Sequence, residues 1–292
     1  YANHLIEAVN SMQKGNLAGC GLFMEGLENN EAIYELLADS MWRSEPVDLK
    51  EWTRAYCFAR YGGAPKEVLD GWSLLYESCY GSFTDHPGFG WQTGRPGIGT
   101  MSKSPKFAEG VRRIASAAST LKRSPLYQAD LMEMTAMILG SRSEDLFARA
   151  AEAHKGGRAD ERDSLWAEAQ HLLLQADRLL ESHPNHRLSR WVGFARAKGK
   201  TAAEKNRYEA DAKRIVTVWG PPVNDYSRRL WSGLIRSFYV PRMELHLRRM
   251  KGETVSIPEW EERWVTTPGL PSVRPFADPC AEAQRLLGPA TG

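Results

Sequence analysis

The chain offers few residues whose type and setting could do chemistry, and a glutamate at the end of an apolar run stands out. Cys20-Gly21-Leu22-Phe23-Met24-Glu25-Gly26 opens a stretch ending at Asn30, where the chain turns into a helix. A short apolar run flanked by glycines suits a buried parallel strand better than a helix. The carboxyl end of such a strand is where an α/β barrel displays a catalytic group, which makes Glu25 a candidate catalytic carboxylate. Position alone favours a plainer role, a cap or an ion pair to the next helix. His86 lies in Asp85-His86-Pro87 and by itself reads as an exposed loop imidazole. Trp219, before Gly220-Pro221, and Tyr226 flank a turn, which helical core packing explains less well than it explains Trp52, Trp72, Trp166, Trp191 and Trp231. His183-Pro184-Asn185-His186 tempts a metal reading, but no other ligand cluster accompanies it, and a helix-ending turn accounts for the pattern.

The elements that must position these residues are mostly helices. Ile6, Val9 and Met12 give helical spacing over 2–13, and Ile33, Leu36, Leu37 and Met41 form one face of a helix from Glu31 to Trp42. Pro46 interrupts, and Asp48 with Glu51 forms a capping-box-like start for a helix carrying Trp52, Tyr56 and Phe58, stopped by Gly62-Gly63. A domain boundary is expected near Glu45 to Asp48. A helix from Lys66 to Tyr80 precedes the one long irregular stretch, Gly81 to Ser102, and loops of that length within a compact domain are usually functional.

Helices dominate again from Ser104. Ser124-Pro125 marks an N-terminus, the helix passes Gly140 to Phe147, and Gly156-Gly157 is a turn. Leu165, Ala169, Leu172, Ala176 and Leu179 form a packing face. Trp191 and Phe194 anchor a short helix, and Thr201 with Glu204 opens another running to Trp219. A long helix is expected from Asp225 to Met250, with two short ones in the tail. With no strict period-two run beyond Cys20–Asn30, the chain after residue 48 is expected to be nearly all helical.

Two blocks of the sequence resemble one known family. Glu25-Gly26-Leu27-Glu28-Asn29-Asn30, Ile33-Tyr34-Glu35-Leu36 and Trp42-Arg43 look like the end of the catalytic barrel in the α-N-acetylglucosaminidases of glycoside hydrolase family 89. Trp219-Gly220-Pro221, Asn224-Asp225-Tyr226, Trp231-Ser232-Gly233-Leu234, Tyr239 and Pro241-Arg242 resemble that family's helical C-terminal domain. Two blocks in the right order are far more specific than either alone. The resemblance is weakest over Ala151 to Lys200 and after Gly252. It implies a mainly α chain: the last strand–helix unit of a (β/α)8 barrel over 1–47, then an all-helical domain over 48–292 that completes the active site.

The resemblance also implies roles. The family's matching glutamate, here Glu25, is the nucleophile. A histidine and an Arg-Pro pair follow the equivalent helix, matching His86 and Arg95-Pro96, and the histidine contacts the sugar. The matching Trp219 and Tyr226 line the site enclosing a terminal N-acetylglucosamine, where an aromatic face covers C–H patches and a phenol hydrogen-bonds a hydroxyl or the acetamido group. The turn between them looks shorter than in some relatives, so the resemblance does not by itself assign sugar contact to Val223 or Asn224. Retaining hydrolysis uses two carboxyl groups about 5–5.5 Å apart, one attacking the anomeric carbon and one protonating the leaving oxygen. The family's acid/base glutamate sits on an earlier barrel strand that this sequence does not contain. The chain therefore reads as the C-terminal part of a longer enzyme, inactive alone and partnered by the N-terminal remainder. Substrate-assisted attack by the acetamido oxygen is the mechanistic rival, and it suits β-linkages.

Composition narrows the alternatives. Forty-two per cent apolar and 25 per cent charged residues in 292 exclude a disordered or collagen-like chain. A net charge of +2 supplies no large field for nucleic acid or an anionic membrane, and no apolar run approaches the roughly 18 residues of a membrane span. Cys20, Cys57, Cys79 and Cys280 have neither metal-site nor disulfide-framework spacing and read as buried thiols. No cofactor is called for, and homo-oligomerisation is left open. Family members are lysosomal in animals and often exported in bacteria, and the sequence decides neither. The rival readings are an all-helical interaction module and a carbohydrate-binding relative without activity.

Overall fold

Helix caps legible in the sequence start three of the helices, at Asp48, Ser124 and Thr201. In the computed structural model, residues 6–8, 11, 16, 18–19, 21, 31–43, 45–78, 88–94, 104–220 and 224–290 are described. Ile6–Ala8 and Ser11 are helical, in keeping with a helix there. The strand expected over Cys20–Asn30 lies outside the described residues, apart from Gly21. Helix α1 (Glu31–Met41) turns Ala32, Ile33, Leu36 and Leu37 inward, and Trp42 just beyond it is 91% exposed. Asp48 opens α2 (Leu49–Tyr61) by accepting from the N–H groups of Lys50 and Glu51 at 2.8 and 3.1 Å, and Gly62 closes it. On α2, Trp52 and Tyr56 enter the core while Phe58 faces outward. Helix α3 (Lys66–Tyr76) stops short of the expected Tyr80.

After α4 (Pro105–Ser116) and the single turn α5 (Ala118–Leu121), Ser124 and Pro125 start the central helix α6 (Pro125–Lys155). Buried residues lie all round it, which marks a helix enclosed by its neighbours. Gly156-Gly157 reverses the chain into α7 (Ala159–Leu180), and α6 and α7 form the most extensive helix pair. Asp130 of α6 binds α2 three times, accepting from Arg60 Nε and Nη2 and from the Tyr61 hydroxyl, each at 2.7 Å. One continuous core holds residues of α1 and of the later helices.

Three expectations about the later elements are corrected. Phe194 does not anchor α8 (Leu188–Arg196): it is 58% exposed under the Arg190 guanidinium, and Leu188, Val192 and a Trp191 Nε1 bond to Ala212 O (2.9 Å) hold the helix. Helix α9 (Ala202–Ile215), with its Thr201–Glu204 capping box complete, ends before Trp219. The helix expected from Asp225 begins only at Leu234. Ser232 is captured first, its N–H donating to His186 O (2.7 Å) while Leu188 N–H donates to Ser232 O (3.0 Å). Asp177, fully buried on α7, then accepts from Gly233 N–H (2.8 Å), Arg236 N–H (3.2 Å) and Arg236 Nε (2.9 Å), which fixes the helix start there. A π-turn (Ile235–Tyr239) leads into α10 (Val240–Met250), because Pro241 has no N–H to return to the preceding turn. The tail adds α11 (Ile257–Thr266) and α12 (Pro279–Leu287). Among the described residues no strand forms, and one isolated bridge joins Arg187 and Ser232.

Candidate active site

The segment between α9 and α10 concentrates backbone strain. Trp219, Asp225 and Arg228 have φ of 46°, 59° and 43°, the only non-glycine residues among those described with positive φ. Left-handed backbone at such residues costs about 1–3 kcal/mol each and persists only where surroundings impose it. Here Trp219 N–H donates to Arg214 O (2.7 Å), Asp225 N–H to Thr217 O (3.0 Å) and Arg228 Nε to Asp225 O (3.2 Å). The constraint brings Trp219 and Tyr226 edge-to-face, ring centroids 5.7 Å apart at 77°. Trp219 remains 44% exposed, so part of it is open to solvent beside a phenol.

The described part of the long irregular stretch supports this corner. Phe89 and Trp91, both buried, stack at 5.2 Å, and Trp91 meets Tyr239 of the π-turn edge-on at 5.7 Å. Trp91 is fixed by Nε1 donating to Gly140 O and by its backbone N–H donating to Glu144 Oε2, each 3.0 Å. Phe89 sits on Gly140, and a methyl group there would come within 2.8 Å of the ring. Gln92 accepts from Phe89 N–H and donates from Nε2 to Arg228 O at 3.0 Å. Gly88 lies so close to Arg228 that a methyl group would approach its Cδ to 2.4 Å. The turn bearing Tyr226 and residues 88–92 thus pack together through Arg228.

Charge is organised behind the aromatic pair. Arg242 is buried and donates to Asp225 Oδ1 through Nη2 and to Glu261 Oε1 through Nη1, both at 2.7 Å. Burial, with Arg242 and Arg249 nearby, holds the His246 imidazole down to about 4, so it is neutral at pH 7. A pocket of about 370 Å³ lined by Gly94, Trp166, Met243 and His246 has no carboxylate in its wall, and no hydrolytic chemistry is assigned to it. Burial pushes the Cys57 thiol up to about 12 and Cys280 to about 11, which leaves both protonated and unreactive.

Of the four candidate residues, the structure brings Trp219 and Tyr226 together, whereas Glu25 and His86 lie outside the described residues. His183 caps a 3₁₀ turn (Pro184–His186) that ends on His186, and no group of three or more metal-ligand side chains occurs among the described residues. His186 belongs to a polar cluster that sequence reasoning missed. Its Nε2 is 3.6 Å from Glu133 Oε2, and Glu31, the first residue of α1, has its carboxyl raised by burial and by Glu133. Trp91, Gln92 and Glu261 were also missed. Asp225 and Arg242 stood within the quoted motifs, where only their adjacency to Tyr226 and Pro241 marked them.

Comparison with known proteins agrees with this architecture. The alpha-N-acetylglucosaminidase (NAGLU) C-terminal domain matches residues 52–288, and the TIM-barrel domain of the same family matches residues 1–44. Human alpha-N-acetylglucosaminidase is 29% identical over 259 residues, covering 84% of this chain and 34% of its own length. The family 89 glycoside hydrolase of Clostridium perfringens superposes with a TM-score of 0.83 at 22% identity, covering 97% of this chain and 36% of that one. That protein has been solved with PUGNAc, with 2-acetamido-1,2-dideoxynojirimycin, and, with two glutamates replaced by glutamine, with its substrate GlcNAc-α-1,4-galactose. The chain spans about a third of the length of these relatives. With its helical domain matched almost end to end and the close of a barrel before it, the chain belongs to the α-N-acetylglucosaminidase family, glycoside hydrolase family 89.

Proposed function

We propose that the chain is the end of the catalytic barrel (1–47) and the helical C-terminal domain (48–292) of an exo-acting, retaining α-N-acetylglucosaminidase. Its substrate is a glycan with terminal α-linked N-acetylglucosamine, a glycosaminoglycan such as heparan sulfate or a related chain. The observation that carries this reading is the strained corner that sets Trp219 and Tyr226 edge-to-face, with Trp219 partly open to solvent, in a member of this family. A pyranose offers C–H patches to an indole and hydroxyl and acetamido groups to a phenol, which is what this corner is shaped to meet.

In the proposed mechanism Glu25 attacks the anomeric carbon. It must be ionised and fixed by donors in a pocket that excludes water. The second carboxyl group, which protonates the leaving oxygen and later activates water, comes from an earlier barrel strand supplied by the N-terminal remainder. The doubly Glu→Gln variant in which the C. perfringens relative holds its substrate supports a pair of essential carboxylates. His86 contacts the sugar, and its loop is continuous with the Gly88–Gly94 segment packed against Arg228. Two carboxyl groups complete the reaction, and no cofactor enters it.

The test is hydrolysis of an aryl α-N-acetylglucosaminide by the complete enzyme beside Glu25→Gln and Glu25→Ala. We expect Glu25→Gln to abolish turnover, and azide to restore it to Glu25→Ala with formation of the glycosyl azide. Turnover that survives in Glu25→Gln would return this glutamate to a structural role.

A further inference from the structure

A buried arginine is among the side chains that hold the turn carrying Tyr226. Arg242 is 3% exposed, and its two terminal nitrogens bind carboxylates from different parts of the fold. Nη2 reaches Asp225, the residue before Tyr226, and Nη1 reaches Glu261 on α11. The guanidinium lies 4.5 Å from the ring centroid of Phe238 and 5.7 Å from that of Tyr239, both in the π-turn. A planar fork can hold two carboxylates and rest on aromatic faces at once, whereas the point charge of a lysine cannot. Asp225 has φ 59°, a left-handed conformation that aspartate adopts more readily than most residues but that its contacts must still hold in one place.

We propose that Arg242 is a positioning residue of the sugar site: it locks Asp225, and through it the left-handed turn, so that Tyr226 meets Trp219 edge-on before the sugar arrives. This rests on the reading of the corner as the N-acetylglucosamine site. Without Arg242 the turn relaxes into conformers that do not bind, and apparent affinity falls by the fraction of molecules still competent. Chemistry in the bound complex is unchanged, because Arg242 does not touch the reacting atoms. The loss therefore falls on KM and inhibitor binding rather than on kcat at saturation.

The experiment uses the complete enzyme with an aryl α-N-acetylglucosaminide, and 2-acetamido-1,2-dideoxynojirimycin as inhibitor, in Arg242→Met, Arg242→Lys, Trp219→Ala and Arg60→Met. Arg60→Met removes a comparably buried arginine–aspartate pair between α2 and α6 and controls for lost stability. We expect Arg242→Met to raise KM and the inhibition constant about tenfold to a hundredfold, with kcat kept within about threefold. Arg242→Lys folds with its charge retained and shows a smaller rise of the same kind, while Arg60→Met lowers Tm and leaves KM unchanged. A raised KM in Trp219→Ala with an unchanged KM in both Arg242 variants would overturn the positioning role alone. Unchanged KM in Trp219→Ala as well would remove the corner from the sugar site, and the functional reading with it. Should Arg242→Met not fold, Arg242→Lys with unchanged KM and inhibition would overturn the role by itself.

Discussion

Burial of His186 works against a charge on its imidazole, whereas the Glu133 carboxylate beside it favours one, with Asp130 and Glu31 acting in the same sense. The balance raises its pKa above the usual 6.5. A group bound more tightly to its proton in the fold than in the unfolded chain stabilises the fold while it is protonated. That contribution is complete below the unfolded value and fades as pH rises through the higher folded value. The same residue accepts from Ser232 through its backbone carbonyl, so its state bears on the segment leading into the π-turn. Thermal unfolding of the wild type and of His186→Gln, followed from pH 5.5 to 8.5, should show a gap in Tm that narrows as pH rises. A gap constant across that range would mean that the Glu133 pair contributes nothing through charge.

Among the elements, α6 and the turn around Trp91 show how packing can reverse a propensity. An alanine in place of a helix-interior glycine is worth about 1 kcal/mol in its favour. At Gly140, however, the added methyl meets the Phe89 ring at 2.8 Å, and overpacking a filled core costs about 1–3 kcal/mol. Gly140→Ala should therefore lower Tm and disturb the Phe89–Trp91 stack; a rise in Tm would show that the ring yields freely. The sequence alone could not place this contact, since Trp91 and Gly140 are distant in the chain and neither belongs to a periodic pattern that names the other. The caps at Asp48, Ser124 and Thr201 were legible because they are local hydrogen-bond chemistry written within four residues. The break between Asp225 and Leu234 was not, because it depends on Asp177 and His186 reaching across from other elements. Leu230 and Trp231 still go inward, but from an irregular strap and not from a helix.

For the molecule as a whole, the division into the end of a barrel and a helical domain was legible from two motif blocks, and the family match spans both. Composition and periodicity alone would have stopped at a helical protein. The aromatic corner was half legible: Trp219 and Tyr226 flanked a turn, but their edge-to-face contact, the left-handed backbone and the Arg242 support are tertiary facts. Trp219 is 44% exposed, whereas Trp72 and Trp166 are almost wholly buried, so the indoles differ in what a bound sugar could reach. The most direct measurement is ¹⁹F NMR of the complete enzyme carrying 5-fluorotryptophan, titrated with N-acetylglucosamine, with the Trp219 signal assigned by its loss in Trp219→Phe. The account predicts that the Trp219 resonance shifts in a saturable way while those of Trp72 and Trp166 stay in place. Saturable sugar binding that leaves the Trp219 resonance unmoved would contradict it.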